Sequence, residues 1–208
     1  MKLKFFFLAA AASGVLVSCV KHEVIPPPKP EVDLSTSFVA DTNGTSISYV
    51  NDVDGFSVET TSFRELQSSP QLSSIIYFNT IRSTNYSDLF KISVGRAFWD
   101  AVEGDLPSIS QFKLFFEGML TPNDPVYSDG ALNGIMLEWR DSESNLWVSN
   151  ENSPEPQTFT FTSITQESDE EGDYIKFTAD FSCWLYSLDG LDSVHFENGT
   201  YISYFKNN

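Results

Sequence analysis

The chain is poor in the residues from which reactive sites are usually built. Its 208 residues include two cysteines and two histidines. Such a supply gives no disulfide framework and argues against a zinc site. Basic residues are also scarce, 12 against 29 acidic ones, for a net charge of −17. A surface of that sign repels nucleic-acid phosphates and anionic lipid, which argues against nucleic acid as a partner. Long apolar runs are missing too. The longest, Phe5 to Val17, covers 13 residues, short of the roughly 20 that a bilayer-spanning helix needs. No glycine-rich phosphate loop, Ser-His-Asp grouping, internal repeat or cofactor motif is visible. Neither catalysis nor a cofactor is therefore expected.

The N-terminus does carry information. Met1-Lys2-Leu3-Lys4 supplies a basic start, Phe5 to Val17 an apolar stretch, and Leu16-Val17-Ser18-Cys19 its close. The first two parts make a secretion signal. The last resembles the lipobox of bacterial lipoproteins, whose cysteine is diacylated and becomes the new N-terminus. That resemblance implies a signal peptide over residues 1–18, lipidation at Cys19, and Leu16, Val17 and Ser18 as the recognition residues. The partner it implies is a membrane, held through N-terminal acyl chains that each contribute ~0.8 kcal/mol per buried CH₂. Cleavage removes Lys2 and Lys4 and leaves 10 basic residues against 29 acidic, a net charge of −19. Acylation also takes Cys19 out of disulfide chemistry, so Cys183 is expected as a lone thiol on the core face of a strand.

Residues 19–36 read as a tether, because Pro26-Pro27-Pro28-Lys29-Pro30 lacks backbone donors and favours extended polyproline II. Val20-Lys21-His22-Glu23 is similar to the short charged export signal of Bacteroidetes-type surface lipoproteins. It implies an outer-membrane lipoprotein that is surface-exposed rather than periplasm-facing.

Residues 37–208 read as one domain. Alternation dominates: Phe38–Ala40 and Thr45–Tyr49 flank an Asn43-Gly44 hairpin turn, and further strands are expected at 56–61, 74–82, 90–94, 134–140, 146–149, 158–164, 174–186, 194–196 and 200–205. A single helix begins at Ser108-Ile109-Ser110-Gln111, a capping box behind Pro107, with Gly118 available to close it and Ile109, Phe112, Phe115 and Phe116 on one face. The expected fold is all-β and mainly antiparallel, a β-sandwich of about ten strands with one short covering helix, or alternatively a β-barrel.

Candidate sites are few. Two acidic stretches, around Asp52 and Asp54 and around Asp169 and Asp173, are weak metal candidates, because neither completes a calcium loop, and both read as solvated turns. Trp184, Tyr186 and Trp147 are the candidate ligand-contacting aromatics, able to stack on sugar rings. Trp184 and Tyr186 share the strand face opposite Cys183.

The segments Phe38-Val39-Ala40-Asp41-Thr42-Asn43-Gly44-Thr45, Gly134-Ile135-Met136-Leu137-Glu138-Trp139-Arg140-Asp141 and Phe181-Ser182-Cys183-Trp184-Leu185-Tyr186 resemble small Bacteroidetes-type outer-membrane or surface lipoproteins with a β-sandwich domain. The resemblance implies fold and anchoring and assigns no catalytic residue. The expected function is a lipid-anchored, non-enzymatic cell-envelope module that binds an envelope partner or plays a structural part. Alternatives are a glycan-binding surface lipoprotein of a polysaccharide-uptake system and a carboxylate-dependent hydrolase, the latter requiring two acids that converge in a cleft.

Overall fold

The computed structural model describes residues 31–120, 122–128 and 134–208. The expected signal peptide, the lipobox-like Leu16–Cys19 and the expected tether up to Pro30 lie outside the described residues. The packed unit runs from Glu31 to Asn208, so the last six residues expected in the tether lie against the domain. Val32 N–H donates to the Asp169 carboxylate at 3.0 Å, Thr36 is 3% exposed, and its hydroxyl meets that of Ser203 at 3.0 Å.

Ten antiparallel strands carry the fold: β1 (Ser37–Thr42), β2 (Thr45–Val50), β3 (Phe56–Glu65), β4 (Ser73–Ser83), β5 (Leu89–Trp99), β6 (Gly134–Arg140), β7 (Leu146–Ser149), β8 (Thr158–Ser168), β9 (Asp173–Ser187) and β10 (Ser193–Lys206). The all-β, mainly antiparallel expectation holds. Both layers, however, come from one hydrogen-bonded sheet, ordered β2-β1-β10-β9-β7-β6-β5-β4-β3, with β8 added to β9. This sheet curls until β1, β9 and β10 lie over β4 and β5, an arrangement between the sandwich and the barrel. Phe38 of β1 stacks on Phe90 of β5 with ring centroids 4.0 Å apart, and Phe90 stacks in turn on Phe181 of β9 at 5.7 Å. Each such ring, fully buried, contributes about 2 kcal/mol through the apolar surface it removes from water.

A polar staple crosses the same interior. Asn79 on β4 is fully buried, donates to the Tyr204 carbonyl at 2.7 Å, and accepts from the Tyr201 hydroxyl. Both ends of the amide are thus satisfied, as burial requires.

Turns follow local chemistry. Asn43 and Gly44 both have positive φ, 51° and 76°, the pair of values that lets a two-residue loop follow the strand twist between β1 and β2. The expected strands 194–196 and 200–205 are one strand, β10, interrupted by a bulge between Phe196 and Gly199. Glycine is needed there because a Cβ at position 199 would lie 2.4 Å from the Phe181 ring.

The helix α1 (Ile109–Glu117) has the expected N-terminus. The Ser108 side chain accepts from Gln111 N–H, while Gln111 Oε1 accepts from Ser108 N–H at 2.8 Å. Phe112 and Phe116 are buried against Tyr77 and Phe205, closing one end of the curled sheet. Ile109, expected on that face, is instead 46% exposed in the first turn. Gly118 caps the helix at φ −65°, so it serves without the left-handed conformation that would demand glycine.

Candidate functional site

The longest strand, β9, organises both features that could meet a ligand. On one edge it pairs with β10 along its length. On the other it is shared: Asp173–Ser182 pair with β8, Leu185–Ser187 with β7. Cys183 and Trp184 fall at the fork between these two partners.

Beneath the fork, Tyr127 fills the interior and donates its hydroxyl to the Thr158 carbonyl at 3.1 Å. Burial pushes the Cys183 thiol up to about 12 and raises the Tyr127 phenol as well. Neither ionises near neutrality. Cys183 is a packing residue, fully buried, and not a nucleophile.

Above the fork, the segment Asn150–Gln157 that joins β7 to β8 borders an open groove of about 470 Å³, edged by Asp124, Tyr127, Glu151, Ser153, Glu155 and Gln157. A second depression of about 300 Å³ continues past Glu151 to Tyr186 and Leu188. Between them the Tyr186 hydroxyl and Ser153 Oγ are 2.8 Å apart. Gln157 donates to the Asn150 carbonyl at 2.9 Å, while its Oε1 is buried without a protein partner. Carboxylates, a hydroxyl pair and an unmatched amide oxygen suit a ligand that brings donors, such as a polyol or a cation.

The second feature lies on the outer face of β9 and β10, where the register sets His195 opposite Trp184. The two rings stack with centroids 4.6 Å apart and planes 10° from parallel. Ser182 Oγ lies 3.2 Å from His195 Nε2, and His195 Nδ1 lies 3.2 Å from Glu197 Oε1. This hydroxyl–imidazole–carboxylate chain is not legible along either strand alone. Cys183 faces the core, whereas its neighbour Ser182 faces outward with Trp184. Period-two alternation separates the two serine and cysteine faces in the sequence, but pairing with His195 needed the β9–β10 register. The connectivity is that of a nucleophile relay. Its setting is not: it sits on an open sheet face with the Glu197 side chain 63% exposed, where water competes for every hydrogen bond.

The three candidate aromatics do not form one platform. Trp184 and Tyr186 share the outer face. Trp147 pairs across from Trp139 and Ser187 on the core side, stacks on Trp139 at 6.4 Å, and donates its indole N–H to Asp141 at 3.1 Å. Burial works to raise the Asp141 carboxyl, but hydrogen bonds from Trp147, Asn145 and Glu143 outweigh it and bring it below its ordinary value.

The acidic candidates serve as turns. Asp52 and Asp54 have positive φ in the β2–β3 connection, where Asn51 donates to Asp52 at 2.8 Å. Asp169 accepts backbone N–H groups from Val32, Glu171 and Gly172, which lower its carboxyl, and Asp173 accepts from Ser168 at 2.6 Å. Among the described residues, no three His, Cys, Asp or Glu side chains are placed to hold a metal ion, and no helix is long and apolar enough to cross a membrane.

Comparison with known proteins adds no relative: no family model matches the chain, nor does any curated protein or solved structure.

Proposed function

We propose that this protein is a lipid-anchored cell-envelope protein, carried at the surface of an outer membrane through Cys19, whose β domain is a non-enzymatic binding module. The leader and the lipobox-like Leu16-Val17-Ser18-Cys19 support the anchor. The binding reading rests chiefly on the fork in β9, where two strands part from one edge and leave an open, acid-edged groove on a rigid sheet. Replacing Cys19 by Ala should release the protein from membranes, and undiminished membrane association would sink the anchor.

One observation favours a glycan as the ligand. Tyr186 borders the second depression and shares its strand face with Trp184, whose stacking on His195 fixes an indole beside hydroxyls and carboxylates. Sugar rings are held by this pairing of aromatic faces with polar acceptors. A glycan array probed with the mature chain tests it. Saturable binding that Trp184→Ala or Tyr186→Ala abolishes is expected. An array silent throughout removes glycans as the ligand class, and cleavage of a bound glycan would move the protein to the hydrolase reading.

A further inference from the structure

Exposed apolar side chains gather at the end of the domain where the tether enters. Phe63 on β3 and Phe98 on β5 flank β4 on its outer face and are 53% and 50% exposed. Leu66 and Leu72, each 55% exposed, lie in the connection from β3 to β4 at the same end, and Val102 (77%) and Leu114 (66%) follow in and before α1. The entry point is fixed beside them. Val32 is hydrogen-bonded to Asp169 in the β8–β9 turn, Asn207 N–H donates to the Asp173 carbonyl, and the Asn207 side chain donates to the Pro107 carbonyl at the start of α1.

We infer that this end of the domain rests on the bilayer surface, with the fringe of Phe63, Leu66, Leu72 and Phe98 dipping into the lipid headgroup region. The inference rests on the lipid-anchored reading above. Exposure alone does not choose the end, since Leu188 and Leu191 at the opposite tip are 78% and 83% exposed. Reach does choose it. Cys19 to Glu31 spans at most about 43 Å fully extended and about 37 Å as polyproline II. A reversed domain would need Glu31 held about 45 Å away, roughly the length of β9. The tether therefore presents the α1 end to the membrane and keeps the β9–β10 tip, and the groove near it, facing outward. Arg64, which donates to the Asp105 carbonyl at 3.3 Å, stands on β3 next to Phe63 and can reach headgroup phosphates. Glu65, Glu103 and Asp105 around it repel anionic lipid, so the surface this end fits is zwitterionic.

Depth-dependent quenching tests the orientation. The full acylated chain is placed in phosphatidylcholine–phosphatidylethanolamine vesicles containing nitroxide-labelled lipid, with a fluorophore on Leu72→Cys in one sample and on Leu188→Cys in another. Both positions are exposed, and Cys183 is buried away from the label. Quenching at position 72 should exceed that at 188 by about twofold or more, as expected for side chains within ~10 Å of the acyl boundary. In a Phe63→Ser, Phe98→Ser background it should drop toward the value at 188. Flotation of the protein with equal quenching at both positions, or stronger quenching at 188, overturns the orientation and leaves the anchor standing. Failure to float overturns the anchor itself, and this inference with it.

Discussion

Strand β9 has two faces made from alternate residues of one peptide, and they do opposite work. Inward, Phe177, Ala179, Phe181, Cys183 and Leu185 are at most 4% exposed and join rings from β1, β5, β8 and β10. Outward, Thr178, Asp180, Ser182, Trp184 and Tyr186 carry hydroxyls, a carboxylate and aromatic rings held by individual polar contacts. The inner face is stabilised collectively, by area and close packing, so every change there is felt by many neighbours. The outer face is a set of local arrangements in contact with water, each worth little to stability on its own. The difference predicts where mutations unfold the protein and where they alter only the surface it presents.

The strongest test is Phe181→Ala. The ring is 4% exposed and faces those of Phe38, Phe90 and Phe159, so its removal leaves a cavity and should lower stability by about 3–5 kcal/mol in chemical denaturation. A loss below about 1 kcal/mol would mean that the aromatic stack is not what holds the two layers together.

Alkali attacks the core behind that face by a different route. Burial raises the Tyr77 and Tyr201 phenols, and pushes Tyr49 and the Cys183 thiol up to about 12. Groups whose folded values lie above their unfolded ones support the fold fully below the unfolded value. That support is lost as pH rises above about 10 for the tyrosines and about 8.5 for the thiol. The denaturation midpoint should fall steadily between pH 9 and 12, and a flat profile there would show these side chains to be wetter than their burial implies.

Gly199→Ala comes next. The added methyl would press on the Phe181 ring, and overpacking of this kind costs about 1–3 kcal/mol. The effect should shrink sharply in the Phe181→Ala background, where the ring is gone. Additive losses would place the strain elsewhere.

How much of this contrast can be read from the chain depends on how local its causes are. The capping box at Ser108, the Asn43-Gly44 turn and the alternation along 174–186 are written in neighbouring residues, and each appears in the structure. Strands β3, β5 and β8 run four or five residues past their expected ends, because partner strands keep supplying hydrogen bonds after the periodic pattern fades. The single curled sheet was not legible, since sequence alternation specifies a buried face without saying whether its cover belongs to the same sheet or another. The Trp184–His195–Ser182 cluster and the β7/β8 fork depend on register between strands and escape any reading along one strand. Trp147 illustrates the same limit: its side of the sheet is set by pairing with Trp139 and Ser187, which its own neighbours do not reveal.

A smaller effect tests how the segment 31–36 joins the sheet. Backbone N–H groups of Val32, Glu171 and Gly172 hold the Asp169 carboxyl below its ordinary value. That depressed value contributes stability present above about pH 4 and lost as pH falls further. Asp169→Asn should therefore be less stable than the native chain at pH 7, and the two should converge toward pH 2. Hydrogen exchange at Val32 should quicken in the variant at neutral pH. Unchanged exchange would show that the segment 31–36 is held by Thr36 and its neighbours alone.

The smallest expected change in stability comes from the largest side chain on the outer face. Trp184→Ala removes an indole that stacks on His195 and seals no core, so the loss should be about 1 kcal/mol, the order of one aromatic pair. Phe181, three positions earlier on the opposite face, should exceed it severalfold despite its smaller ring. Histidine NMR sharpens the point. Without the indole, the His195 ring keeps Ser182 and Glu197 as partners, so its resonances should shift through loss of ring current while the backbone spectrum of β9 and β10 stays native. A Trp184→Ala loss approaching that of Phe181→Ala would erase the division between the faces and move Trp184 from the contact surface into the core.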